Sequence, residues 1–91
     1  DGVDIYVRLS VSFSEASLGA KLTVETLHGD ERINLPAGTQ SGTMMRLRGK
    51  GVPRLHKGSR GDHYVTIDVR VPKKLNSEQK KLIKQLSDAG L

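Results

Sequence analysis

Residues 4–13 read Asp-Ile-Tyr-Val-Arg-Leu-Ser-Val-Ser-Phe, and residues 63–72 read His-Tyr-Val-Thr-Ile-Asp-Val-Arg-Val-Pro. Both stretches alternate. Ile5, Val7, Leu9 and Val11 fall on one side of the first, with Tyr6, Arg8, Ser10 and Ser12 on the other. Val65, Ile67, Val69 and Val71 share a side of the second. Successive side chains of an extended chain point to opposite faces, so a period of two describes a strand with one face buried.

The segments between these strands are shorter and carry more turn chemistry. Ser14-Glu-Ala-Ser-Leu-Gly19 predicts one helical turn, capped by Ser14 and ended by Gly19. Ala20–Leu27 resumes alternation with Leu22 and Val24 on one face. After the turn His28-Gly29-Asp30, Ile33 and Leu35 share a face, which reads as a hairpin. Pro36 to Thr43 is a turn rich in glycine, and Met44–Arg48 predicts a short strand. The last segment differs in kind. Asn76 with Gln79 three residues on resembles a capping box, and Leu82, Ile83, Leu86 and Ala89 follow at helical spacing before Gly90. These elements predict a mainly β fold: a small two-layer β-sandwich over residues 1–75, with a one-turn helix after the first strand, closed by an amphipathic helix over residues 76–89.

Composition narrows the chemistry. The 91 residues suit one small domain, and an opening Asp1-Gly2 without Met reads as a piece of a longer or processed protein. With no cysteine there is neither a disulfide nor a thiolate metal site. No apolar run approaches the roughly 20 residues of a membrane span, so a soluble piece with no membrane partner is expected. The net charge of +5 is unevenly placed: Arg32 to Arg60 holds seven Lys or Arg and no acid. A second basic cluster, Lys73, Lys74, Lys80, Lys81 and Lys84, lies near the C-terminus. Such asymmetry suits an anionic partner, or solubility beside an aggregation-prone one.

The run Leu47 to Asp62, LRGKGVPRLHKGSRGD, alternates glycine with cations like a phosphate cradle. It fails as a P-loop twice. Met44 stands where the first glycine belongs, and Gly51, not Ser or Thr, follows Lys50. It fails as a dinucleotide fingerprint too, because Arg54 replaces the third glycine and a strand pattern follows. A basic nucleic-acid-binding module using the 46–60 loop is the alternative reading, since phosphate contacts need only placed cations. The run carries no aromatic platform, however, and a glycine-shaped connector is the favoured reading, with nucleic acid not expected as a partner. His56, Asp62 and His63 match no familiar ligand spacing, and no metal or other cofactor is expected. No serine elbow or carboxylate pair points to catalysis, so the chain reads as a non-enzyme.

Taken together, DIYVRLSVSFSEASLGAKLTVETLHG, PAGTQSGTMMRLRGKGVPRL, GDHYVTIDVRVPKKL and NSEQKKLIKQL resemble the second C-terminal, substrate-binding β-domain of DnaJ-type J-domain co-chaperones. The resemblance spans nearly the whole chain. It implies a β-sandwich that helps bind non-native polypeptide clients for delivery to a DnaK-type seventy-kilodalton heat-shock chaperone. It also implies a homodimer joined near the C-termini. Strand matching puts Val7, Leu9, Leu22 and Val24 at the peptide-binding positions, and the helix face Leu82, Ile83 and Leu86 is the candidate dimer or interdomain surface. The family's His-Pro-Asp tripeptide and zinc-binding cysteines are absent from these residues, so the resemblance places both upstream. The family implies a bacterial cytoplasmic protein, with the mitochondrial matrix as the alternative.

Overall fold

A computed structural model describes residues 3–55 and 58–91. The elements run β1 (Ile5–Val11), α1 (Phe13–Leu18), β2 (Ala20–Thr26), β3 (Gly29–Leu35), β4 (Met44–Leu47), β5 (His63–Val69) and α2 (Ser77–Asp88). They form two small sheets, one of three strands in the order β1-β5-β4 and one of two, β2-β3. The expected mainly β sandwich with a C-terminal helix is what is observed.

The two strongly alternating strands lie side by side. β1 and β5 pair in parallel, with Ile5 opposite His63 and Val11 opposite Val69. A parallel pair needs a crossover connection, and here everything from α1 to the 49–61 loop provides it. β4 pairs antiparallel to β5, with Met45 opposite Val65. β2 and β3 form the expected hairpin, closed by the two-residue turn Leu27-His28 between Thr26 and Gly29. The Thr26 hydroxyl secures that turn, accepting from the His28 N–H at 3.1 Å and donating to the Gly29 carbonyl at 2.7 Å.

The core follows the alternation. Val11, Ala16, Val24, Ile33, Leu35, Val65 and Ile67 are buried, and Val7, Leu9, Leu22, Met45, Leu47 and Val69 pack half-buried around them. Each fully buried aliphatic side chain stabilises the fold by about 1.5–3 kcal/mol. Two details depart from the sequence reading. The N-cap of α1 is Ser12, not Ser14: Ser12 Oγ accepts the Glu15 N–H at 3.0 Å, and Glu15 accepts the Ser12 N–H at 2.8 Å. A reciprocal pair satisfies two backbone donors at once, which Ser14 inside the first turn cannot do. Val71 is 84% exposed, because β5 ends at Val69 and the chain leaves the sheet before Pro72.

α2 has the capping box expected of Asn76 and Gln79, with bonds of 2.8 and 2.9 Å. It buries none of its residues. It projects from the sandwich, which is why the molecule measures 58 × 22 × 20 Å. No helix among the described residues is long and apolar enough to cross a membrane.

Candidate functional site

Two strand edges lie free beside apolar side chains. β1 has β5 as its only strand partner, and β2 has only β3, so each keeps one unpaired edge among the described residues. The alternation that places Val7, Leu9 and Val11 inward also places Leu22 and Val24 inward on the facing sheet. The structure therefore brings all four sequence-expected residues into one cluster. Val24 is buried, whereas Val7, Leu9 and Leu22 remain half-buried at its rim. Open backbone groups next to partly exposed aliphatic side chains are what an added strand requires: the first supply hydrogen bonds, the second supply pockets for alternate side chains.

Leu82, Ile83 and Leu86 share one face of α2, and the first two are 51% and 46% exposed. Ile83 and Leu86 face Phe13, Arg70 and Pro72 across a shallow concavity of about 360 Å³. Sequence reading missed Phe13 as part of this apolar surface. Its place at the helix end, half exposed beside α2, is a tertiary matter.

A second feature absent from the sequence reading lies on the outward face of the three-stranded sheet. Tyr6 and Tyr64 are directly opposite in the β1–β5 register, and their rings stack with centroids 5.0 Å apart at an interplanar angle of 9°. The even-numbered positions of both strands carried that signal, but only the parallel pairing makes them neighbours.

The two described arms of the glycine-rich basic run are pinned to each other. The Gly51 N–H donates to the Gly61 carbonyl at 2.9 Å, the Gly61 N–H to Val52 at 2.9 Å, and Pro53 bridges Arg60. The Val52 N–H also donates to the Val3 carbonyl at 2.8 Å, tying the first arm to the start of β1. Several cations of residues 46–60 are engaged within the molecule. Arg46 grips Asp62 Oδ2 through Nη2 at 2.6 Å and Nε at 2.7 Å, and Lys50 lies 3.6 Å from Glu31. His56 and Lys57 lie outside the described residues. His63 is buried with neither ring nitrogen bonded, and Asp62 is committed to Arg46, so the structure does not bring these two together as ligands. No metal-binding cluster occurs among the described residues.

Asp62 is the polar anchor of these arms. Its Oδ1 accepts the Gly49 N–H at 2.8 Å, and that bond, followed by the Arg46 contact, holds its carboxyl below the ordinary aspartate range. A carboxylate whose folded pKa is depressed adds stability above its unfolded value of about 3.9, and that stability is lost as the pH falls through the folded value. Asp62→Asn is thus expected to melt lower than wild type at pH 7. The two melting temperatures should converge as the pH is lowered below about 4. Parallel melting curves at every pH would show that the charge of Asp62 contributes nothing.

With this geometry in view, comparison with known proteins is specific. The family described as "DnaJ C terminal domain" matches residues 1–72. The chain is 51% identical to the "Chaperone protein DnaJ" of Enterococcus faecalis over 90 residues, which is 99% of this chain and 23% of that protein. The protein of that name from Pediococcus pentosaceus is 49% identical over 99% of this chain and 24% of its own length. That from Acetivibrio thermocellus is 44% identical over 96% of this chain and 22% of its own length. The chain belongs to the DnaJ C-terminal domain family. It spans less than a quarter of the length of these curated relatives and corresponds to their C-terminal part.

Proposed function

We propose that this domain is a non-catalytic client-binding and scaffold module of a DnaJ-type co-chaperone. Extended apolar segments of non-native polypeptides pair with the free edges of β1 and β2. Their side chains rest on Val7, Leu9 and Leu22, while Val24 supports the rim from within. The full-length protein then delivers the client to a DnaK-type seventy-kilodalton heat-shock chaperone. Bacterial relatives with this domain support a cytoplasmic setting. The observation that carries the reading is the pairing of two unpaired strand edges with half-buried aliphatic residues in a domain of this family.

Photo-crosslinking residues placed singly at positions 7, 9 and 22 of the full-length protein are expected to capture an unfolded client. Leu9→Ser should weaken that capture severalfold while a melting curve confirms that the domain is folded. Crosslinks confined to other surfaces, with Leu9→Ser binding as wild type, would remove the assignment.

The face of α2 carries the scaffold part of the proposal. Leu82, Ile83 and Leu86 are available to a second copy because their own domain covers them only in part. Leu82→Glu together with Ile83→Glu, in the full-length protein, should shift the mass measured by light scattering from dimer towards monomer without lowering the melting temperature. An unchanged dimer would assign assembly to another surface.

A further inference from the structure

The bonds at the two ends of the β1–β5 ladder fix which backbone groups of β1 stay free. The Ile5 N–H donates to the Asp62 carbonyl, and the Val11 carbonyl accepts from the Arg70 N–H, both at 2.9 Å. The odd-numbered residues of β1 therefore turn their N–H and C=O towards β5. Direction alternates along an extended chain, so Tyr6, Arg8 and Ser10 turn theirs to the open edge. The same three residues carry exposed side chains on the outward face of the sheet. A strand added here thus has two faces to match. Its inward side chains meet Val7 and Leu9, and its outward ones stand directly beside Tyr6, Arg8 and Ser10.

These outward neighbours have a definite chemistry. Tyr64 covers one side of the Tyr6 ring, yet Tyr6 is 62% exposed, because the other side of the ring looks over the open edge. Arg8 is exposed and, among the described residues, makes neither a hydrogen bond nor an ion pair. Its neighbours across the sheet are Thr66 on β5 and then Met44 on β4, both uncharged. Asp68, diagonal to it, lies opposite Ser10 and stays outside ion-pair distance. The other open edge lacks this character: β2 exposes Lys21, Thr23 and Glu25, one cation, one anion and no ring.

We propose that the β1 edge reads the outward side chains of an added strand. It selects segments in which a carboxylate and an aromatic ring stand two residues apart with an aliphatic residue between them. The carboxylate pairs with Arg8, whose planar guanidinium offers two parallel donors, and the ring extends the Tyr6–Tyr64 stack by one member. The aliphatic residue falls beside Val7. This inference rests on the client-binding reading and names the class of segment that this edge takes.

The symmetric peptide Ser-Val-Tyr-Val-Glu-Val-Tyr-Val-Ser tests it, since its order suits either strand direction. Its capture by a photo-crosslinking residue at position 9 of the full-length protein is followed against peptide concentration. Replacing the central Glu by Lys is expected to raise the half-saturating concentration about threefold or more. Arg8→Glu should reverse the preference, so that the Lys peptide is captured at the lower concentration. Tyr6→Ala should weaken capture of the Tyr peptide about twofold or more, while sparing a version with Ser in place of both Tyr. A melting curve for each variant checks that the domain is folded. Capture that ignores the Glu-to-Lys exchange, or an Arg8→Glu variant with the wild-type preference, would overturn the outward readout and leave the client-binding reading standing. Equal effects of Tyr6→Ala on the two peptides would overturn its aromatic half. No capture of any peptide from position 9 removes both the readout and the reading beneath it.

Discussion

Gly61→Ala is expected to destabilise the domain by at least about 3 kcal/mol, a large share of the roughly 5–15 kcal/mol available to a fold of this kind. The reason is crowding by backbone. A Cβ on Gly61 points into the carbonyl of Val3 and lies 2.8 Å from Asp4 Oδ1. Neither group can step aside cheaply. The Val3 carbonyl accepts from Val52 at 2.8 Å, and the Asp4 carboxylate accepts from the Asp62 N–H at 2.8 Å. The Ile5 N–H, at the first rung of β1–β5, donates to the Asp62 carbonyl at 2.9 Å. Making room means breaking several of these bonds, each worth about 1 kcal/mol net. Gly51→Ala should behave alike, because its Cβ meets the Asp62 N and O at 2.7 Å. Gly58→Ala is the control: nothing lies within 4 Å, and its φ of 61° leaves only a conformational cost of about 1–2 kcal/mol. Urea midpoints order the three, and a Gly61→Ala variant no weaker than Gly58→Ala would contradict the close approach.

Ile67→Ala is expected to cost about 2–5 kcal/mol, and Ile67→Val about 0.5–1.5 kcal/mol. Ile67 is fully buried at the centre of β5, directly opposite Leu9. Its backbone is held on the other side as well: its N–H donates to Thr43 and its carbonyl accepts from Gly42, both at 2.7 Å. With the main chain fixed by neighbours on both sides, little collapse into the vacated space is available, which favours the upper part of the range. The midpoint of urea unfolding should fall with the slope unchanged. A loss below about 1 kcal/mol for the alanine variant would mean that the core relaxes around position 67.

Much of the fold was legible because burial and the backbone repeat coincide along each strand. Val7, Leu9, Val65 and Ile67 could be assigned inward from alternation alone, and Asn76 with Gln79 marked the start of α2. Partners were less legible. Alternation says which face is buried but not which strand lies alongside, so the parallel match of β1 to β5, across some 58 residues of sequence, left no local trace. Ser12 with Glu15 was a readable capping box that the hydroxyl at Ser14 obscured.

The candidate site divides in the same way. Val7, Leu9, Leu22 and Val24 were visible as one apolar stripe, whereas their grading into a half-buried rim and a buried support depends on how two sheets stack. The glycine-rich run announced tight geometry. Its partners did not show, because His28 is 23 residues from Gly51 and 32 from Arg60. The arginines that suggested an anion site are spent in part on Asp62 and His28, a use that charge counting along a sequence cannot separate from binding.

The parallel register of β1 and β5 also settles how the domain responds to being pulled. The chain comes into β1 at Ile5, beside His63, and leaves β5 at Val69, beside Val11, so the two departures lie at opposite ends of one ladder. At about 3.3 Å per residue they are separated by roughly 20 Å. Tension applied through the flanking polypeptide therefore slides β1 along β5 and strains every rung of the ladder together. An antiparallel pair joined at one end would part rung by rung under the same load. A domain built this way resists stretching along its length, because every rung must give way at once.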